Sequence, residues 1–388
     1  MNAELPEPSP EAAESSQALC AHIATEIKAA GGWISFARYM ELALYTPGLG
    51  YYSGGPRKFG EAGDFITAPE LTPLFAQTLA NQAAQVMAAS APHILEAGGG
   101  SGAFAADLLL ALEKLGALPD SYLILELSGE LRARQADRLY ERAPHLLGRV
   151  RWLDSLPETF SGFVVGNEVL DAMPVHLIHW QADAVQERGV TLDANDQFSW
   201  AERPLSAALA TYADTLPVSA PYLSEVNLAA RAWIAGWADI LQRGALVLID
   251  YGFPRHEFYH AQRDQGTLMC HYRHHSHGDP FWWPGLNDIT AHVDFTAMAE
   301  AGFEAGLEVA GYTSQAAFLM NCGLTEVLAS KIDPATPGGD AAYFTQSRAV
   351  AKLINPSEMG ELFKVIGFSK NLNAPLIGFA RGDKTQTL

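Results

Sequence analysis

The residues Glu96-Ala97-Gly98-Gly99-Gly100-Ser101-Gly102 stand between a short apolar run and a long amphipathic stretch. That is the composition of an anion-binding turn. The first turn of a helix presents free N–H groups and the positive end of the helix dipole. Glycine lets the backbone approach a ligand and adopt positive φ. Gly98, Gly100 and Ala103 also satisfy the dinucleotide spacing G-x-G-x-x-A. Glu126 ends the next apolar run, 24 residues after Gly102, where an acid accepts hydrogen bonds from a ribose diol. Turn and acid together select an adenosine-type ligand and leave NAD and S-adenosylmethionine both open.

Other polar groups close apolar runs further along the chain. Asn167-Glu168 ends FSGFVVGNE, and Asp171 follows three residues after Glu168. On a helix starting there the two acids would share a face, either serving chemistry or capping that helix. Asp250 and Tyr251 end another run, and open α/β sheets keep their reactive groups at such strand ends. His292 and Asp294 lie two apart in AHVDF, and on a strand both would face one side. The His-dense tract from Tyr259 to His277 lacks any HExxH or Cys/His ligand spacing, so no metal site is expected.

These groups need a scaffold, and the apolar periodicity supplies one. Helices are expected over residues 17–30, Phe36 to Leu44, and Pro73 to Ala89. From His93 short apolar runs alternate with helices: HILEA, Gly102 to Leu115, SYLILEL, Gly129 to Arg142, RVRWL, then FSGFVVGNE. Such alternation implies a parallel sheet with helices on both faces. After Pro174 the pattern turns hairpin-like through VHLIHWQ, VQERGVTL and QFSWAE, an antiparallel insertion. Helices resume near Leu205 and over Leu223 to Gln242, Ala245 to Tyr251 is a buried strand, and a loop of about 35 residues follows. Phe295 to Ala301 reads as a helix and Gly306 to Tyr312 as a strand, with helices filling much of the remainder.

The 388 residues suffice for two or three structural units or one large domain with insertions. The formal charge of −19 opposes binding to a phosphate backbone, so nucleic acid is not expected as a partner. An acidic surface favours a basic protein segment or simply solubility. Cys20, Cys270 and Cys322 form no CxxC pair, which fits a reducing compartment. No apolar stretch is long enough to insert into a membrane. Met1 to Ser16 carries four Glu, three Pro and no Lys or Arg, the composition of a short disordered leader rather than a signal or presequence. A cytoplasmic protein is expected. A homodimer is compatible with the acidic chain and its long aromatic loop.

The segments Ile34 to Tyr52 (ISFARYMELALYTPGLGYY), Gly63 to Glu70 (GDFITAPE), Leu95 to Leu109 and Gly166 to Val175 (GNEVLDAMPV) together resemble the MidA family of class I S-adenosylmethionine-dependent methyltransferases. So do LIDYG at Leu248 to Gly252, GTLMCHYRHHSH at Gly266 to His277 and DITAHVDF at Asp288 to Phe295. That family includes the mitochondrial complex I assembly-factor arginine methyltransferases. One departure stands in the glycine run. Family members often read Gly-Pro-Gly-Arg-Gly, whereas this chain has Gly-Gly-Gly-Ser-Gly. The glycine skeleton for cofactor binding remains, without the proline ring or the basic side chain.

The resemblance implies a Rossmann-like α/β fold with a seven-stranded, mostly parallel sheet. It implies a leader over 1–16, an N-terminal helical extension over 17–90 with a cofactor-covering loop, and a methyltransferase domain over 91–388. Substrate-facing insertions would lie at about 175–222 and 253–290. It implies methyl transfer from S-adenosylmethionine to a protein arginine, giving S-adenosylhomocysteine, with a respiratory complex I subunit as acceptor. The absence of a presequence fits a bacterial member. A non-catalytic cofactor-binding assembly chaperone and a small-molecule methyltransferase are the alternatives, since fold does not fix substrate.

The same resemblance assigns residues. Gly98, Gly100 and Gly102 would face the methionine moiety, with Glu96 orienting their turn. Glu126 would hold the ribose hydroxyls, Asp154 the adenine amino group, and Asn167 the cofactor edge of its strand. Asp64 and Thr67 would lie near the methionine end. A guanidinium acceptor carries five donors and calls for carboxylates that bind it and aim one nitrogen at the methyl. Glu168 and Asp171 are the candidates for that, His292 for taking the proton, and Asp250, Tyr251 and Asp294 for contacting substrate.

Overall fold

Five runs rich in Ile, Leu and Val form parallel strands; all but the edge strand Val150–Leu153 are largely buried on both faces, which explains why they read as apolar stretches. The computed structural model describes residues 5–54, 67–330 and 339–388. The chain divides into two compact units. The first comprises Ile66–Val169, Trp233–Gly252 and Phe295–Leu388; the second comprises Met1–Phe65, Leu170–Ala232 and Phe253–Asp294.

In the first unit the strands His93–Ala97, Ser121–Leu125 and Val150–Leu153 pair in parallel in that order. On the other side of His93–Ala97 lie Phe160–Asn167 and then Leu241–Phe253, again parallel. Phe363–Lys370 pairs antiparallel with Leu241–Phe253, and Glu308–Ser314 closes the edge, antiparallel to Phe363–Lys370. The path thus holds seven strands. The chain runs outward from His93–Ala97 in one direction, then returns to its other side. That reversal is a topological switch point, where open sheets leave a crevice at the carboxyl ends of the strands.

The helix Pro73–Ala89 matches its expected limits. Thr72 caps it by accepting from the Leu74 N–H at 3.2 Å, and Pro73 loses nothing at a position whose N–H has no helical partner. Ser128 caps the helix Gly129–Arg142 in the same way. Leu79, Ile94, Leu108, Tyr122, Phe163, Val247 and Val365 belong to one buried cluster between sheet and helices.

The second unit is built on antiparallel pairing. His176–Trp180 and Val185–Leu192 form a hairpin, flanked by Tyr222–Val226, Ile34–Ser35 and Phe198–Pro204. A three-stranded sheet joins His275–His277, Met269–Tyr272 and Asp288–Thr290. The helices Pro10–Ala29 and Phe36–Tyr45 contribute Leu19, Ile23, Ile27, Phe36 and Tyr39 to its core. The first helix starts at Pro10, where Ser9 caps it, so residues 10–16 are helical rather than leader.

Two strands depart from the sequence reading. Tyr222–Val226 is a strand where a helix from Leu223 is expected, and the helix begins only at Leu228. Phe363–Lys370 is a strand in a stretch read as helical. The loop after Phe253 also carries three short strands and two short helical turns.

Candidate functional site

Within the first unit the strand His93–Ala97 ends in the glycine turn and the helix Ala103–Lys114 begins at its far side. Gly98, Gly100 and Gly102 all have positive φ, 70°, 50° and 83°. A Cβ on Gly102 would stand 2.9 Å from the Gln135 Cα, so the helix Gly129–Arg142 packs against bare backbone there. Among the described residues a Cβ on Gly100 would meet nothing within 4 Å, so none of them fills that face of the turn. The N-cap residue Gly102 has no side chain to cap the helix Ala103–Lys114, and the Ser101 hydroxyl oxygen accepts the Ala103 N–H at 3.3 Å. The helix's other first-turn N–H groups and this glycine face suit a charged ligand end.

Glu96 lies beneath this turn, 4% exposed, and accepts the Tyr122 hydroxyl at 2.7 Å. Burial is the main reason its carboxyl is pushed up to about 8, against which the Tyr122 hydrogen bond acts. Glu126 is also buried; its Oε1 accepts the Ser128 N–H and its Oε2 accepts the Gln135 Nε2, both at 3.0 Å. Desolvation raises its pKa, opposed by these hydrogen bonds.

Gln135 ties these parts together. Its Nε2 donates to the Gly100 carbonyl as well as to Glu126, and its Oε1 accepts the Trp152 indole N–H at 2.8 Å. One fully buried amide therefore joins the glycine turn, the acid and the third parallel strand. Asp154, expected near an adenine, is 90% exposed and pairs with Arg132 at 2.7 Å. Glu70 receives Arg138 at 3.2 Å and the Ser101 hydroxyl, linking the short helix Ala68–Leu71 to the turn. Thr67 precedes that helix without a side-chain cap bond, and Asp64 lies outside the described residues.

Asn167 and Glu168 end the strand beside the switch point. No helix follows, so the helical face proposed for Glu168 and Asp171 does not exist; residues 168–173 form a bend and turn. The reason is the backbone. Glu168 has φ 54°, a left-handed conformation that costs a non-glycine residue about 1 kcal/mol or more. Its N–H donates to the Ile249 carbonyl at 2.8 Å, and the Asn167 amide donates to its Oε1 at 2.9 Å. Asp250 is fully buried and accepts the N–H groups of Val169, at 3.2 Å, and Tyr251, at 2.9 Å. Both oxygens of Asp250 therefore hold main chain at two neighbouring strand ends. Tyr251 packs edge-on against Phe363.

In the second unit the carbonyl of Asp171 accepts the Ala291 N–H at 3.1 Å, which joins GNEVLDAMPV to DITAHVDF. His292 precedes a strand of only two residues, Val293–Asp294, and the helix Phe295–Glu304 follows at once. The alternation expected for His292 and Asp294 is therefore absent. Asp294 pairs with Arg255 at 3.4 Å. Burial, with the Arg263 charge adding to it, lowers His292 to about 4. Tyr45 and Tyr52 stack with centroids 5.4 Å apart; Tyr45 donates to the Ala172 carbonyl and Tyr52 to Asp288. These two tyrosines and Asp288, all within segments noted in the sequence, gave no sign of meeting one another.

A family model described as "Putative S-adenosyl-L-methionine-dependent methyltransferase" matches residues 75–313. The chain belongs to this family. This methyltransferase is also similar to a Burkholderia thailandensis protein solved with S-adenosyl-homocysteine bound. That chain is 54% identical, coverage is 99% of this chain and 100% of that one, and the TM-score is 0.94. It is similar to the zebrafish Danio rerio "Protein arginine methyltransferase NDUFAF7, mitochondrial", 29% identical over 90% of this chain and 86% of the relative. The Mus musculus protein of the same name is 30% identical over 91% and 85%.

The methyltransferase is MidA-like and its cofactor is S-adenosylmethionine, which settles the choice that the glycine spacing left open between that ligand and NAD. The geometry fits the group: a glycine face that no described residue fills, a helix N-terminus beside it and a buried acid directly after the next strand. Among the described residues no helix is long and apolar enough to cross a membrane.

Proposed function

We propose that this methyltransferase acts on a protein arginine, with a subunit of respiratory complex I as its acceptor, in a bacterial cytoplasm. The observation that carries the reading is end-to-end similarity to relatives named protein arginine methyltransferases, covering 86% and 85% of their lengths. When bound, S-adenosylmethionine supplies an electrophilic methyl group on a sulfonium sulfur. The glycine turn and Glu126 bind it. Glu168 and Asp171 present carboxylates to the guanidinium and orient one nitrogen. The strain at Glu168 is of the kind stored at working positions. His292 takes the proton that the acceptor nitrogen gives up.

The test is methyl transfer from labelled cofactor to complex I subunits purified from a deletion strain. Label on an arginine supports the reading; label elsewhere, or none, overturns it. Glu168→Gln should lower kcat by about 100-fold, the scale of a lost charge-assisted contact, with cofactor Kd unchanged. Unchanged turnover would remove Glu168 from the reaction. Complex assembly that persists in that variant would point to a chaperone instead.

A further inference from the structure

His292 is held from several sides within the second unit. Its ring stacks on Phe253, with centroids 5.4 Å apart and planes 25° apart. The Arg263 guanidinium carbon stands 4.1 Å from the centroid of that same phenyl ring. The His292 N–H donates to the Thr267 hydroxyl oxygen at 3.0 Å. Thr267 is itself clamped by Glu225: its hydroxyl donates to Oε2 at 3.1 Å, while the N–H groups of Thr267 and Leu268 donate to Oε1 at 2.8 and 2.9 Å. Glu225 is 3% exposed. Gly266 has φ 78°, and a Cβ there would stand 2.4 Å from Glu225 Oε1, so the clamp needs glycine at that point. One residue before His292, the Ala291 N–H reaches the Asp171 carbonyl.

We propose that Phe253, Arg263 and the Glu225–Thr267 clamp are positioning residues that fix the His292 imidazole to accept the proton of a guanidinium acceptor. This rests on the arginine reading and deepens it. The clamp sets the main chain, and the stack sets the ring plane. The charged groups around His292 include Arg263, the Glu225 carboxylate behind Thr267, Asp171 through its main chain, and the Arg255–Asp294 pair two residues on. Burial and the nearby Arg263 cation both oppose a positive charge on the imidazole, so the ring is neutral at physiological pH. In the reaction the acceptor nitrogen forms a bond to the methyl carbon while the sulfur–carbon bond breaks, its electron pair going to sulfur. One N–H bond then breaks, its pair returning to nitrogen and its proton going to His292 and on to water. The proton leaves as a second positive charge builds on the acceptor, so a weak base suffices.

The test uses the full chain with labelled histidine, following the His292 ring by NMR across pH. Arg263→Met should raise the titration midpoint by about one unit, in the range for removing a nearby like charge, and Arg263→Lys should restore it. Thr267→Val should lower kcat about tenfold while leaving the cofactor KM unchanged, and Arg263→Met should shift the acid limb of kcat upward. A midpoint identical in wild type and Arg263→Met, or full kcat in Thr267→Val, overturns the proposal. If the midpoint shifts as stated but wild type methylates no arginine, the arginine reading fails while the electrostatic link between Arg263 and His292 stands.

Discussion

Glu96 offers a quantitative test, because its partner and burial are both defined. In an unfolded chain the carboxyl loses its proton near 4.5; in the fold it does so at about 8. Between those values the folded state binds the extra proton. Stability is therefore fully present at low pH and falls as pH rises through the folded value, by about 1.4 kcal/mol per unit. Across the whole window the loss is about 5 kcal/mol. Glu96→Gln removes it: the amide has nearly the same shape, cannot ionise, and keeps an oxygen for the Tyr122 hydroxyl.

The assay is thermal unfolding of both proteins, without cofactor, from pH 5 to 9, read as the difference in Tm. Titrating groups not coupled to Glu96 cancel in that difference, and Glu126 is a minor contributor to its shift. The two proteins should melt together near pH 5. By pH 8 to 9 the variant should melt roughly 10 °C higher, since 1 kcal/mol shifts a unit of this size by about 2 to 4 °C. A difference that stays flat across the range refutes the reasoning, because a Glu96 that ionises freely in the fold would give no pH-linked loss.

Two further predictions concern the glycine turn. Gly102→Ala imposes a left-handed conformation on a residue with a side chain and drives its Cβ toward the Gln135 main chain; at about 1–2 kcal/mol for the conformation alone, cofactor Kd should weaken at least tenfold by calorimetry, and wild-type affinity would contradict the packing described. Gln135→Leu strips partners from Gly100, Glu126 and Trp152 at once; at about 1–3 kcal/mol for each buried group left unpaired, Tm should fall by roughly 6 °C or more and cofactor binding should weaken with it, whereas an unchanged Tm would mean the amide bonds contribute nothing.

Much of the first unit was legible in sequence because its strands are short, apolar and separated by helices. His93–Ala97, Pro73–Ala89 and Gly129–Arg142 fall where the apolar pattern put them. The two missed strands have physical explanations. Phe363–Lys370 is buried along almost its whole length, so it lacks the alternation that marks a half-exposed strand. Tyr222–Val226 contains Glu225, and a buried carboxylate reads as a surface residue until its donors are visible. Gln135 was hidden for the same reason, as an amide among the charged residues of a polar helix. The glycine turn and the place of Glu126 directly after a strand were readable because the strand–turn–helix pattern that sets them is local. The meeting of Asp171 with Ala291, or of Tyr52 with Asp288, depends on chain separated by more than a hundred residues.

Asp250, Glu225 and Gln135 share a logic that bears on the motifs themselves. Each is buried, each bonds to main chain, and each sits beside a turn carrying a residue suited to chemistry. Burying a carboxylate or an amide is costly unless its polar atoms are met, and here the main chain meets them. The bonds stabilise one local geometry, because any shift of the turn breaks several at once. Asp250 holds the Val169 N–H directly after the strained Glu168; Glu225 holds Thr267, which holds His292. LIDYG and GNEVLDAMPV are thus two halves of one device, as the Gly266-Thr267 pair of GTLMCHYRHHSH and the His of DITAHVDF are of another. An Asn in place of Asp250 would keep the shape but turn one acceptor into a donor facing an N–H, releasing the Glu168 turn without touching any reacting group. A change in one of these segments therefore releases a residue that a distant segment holds.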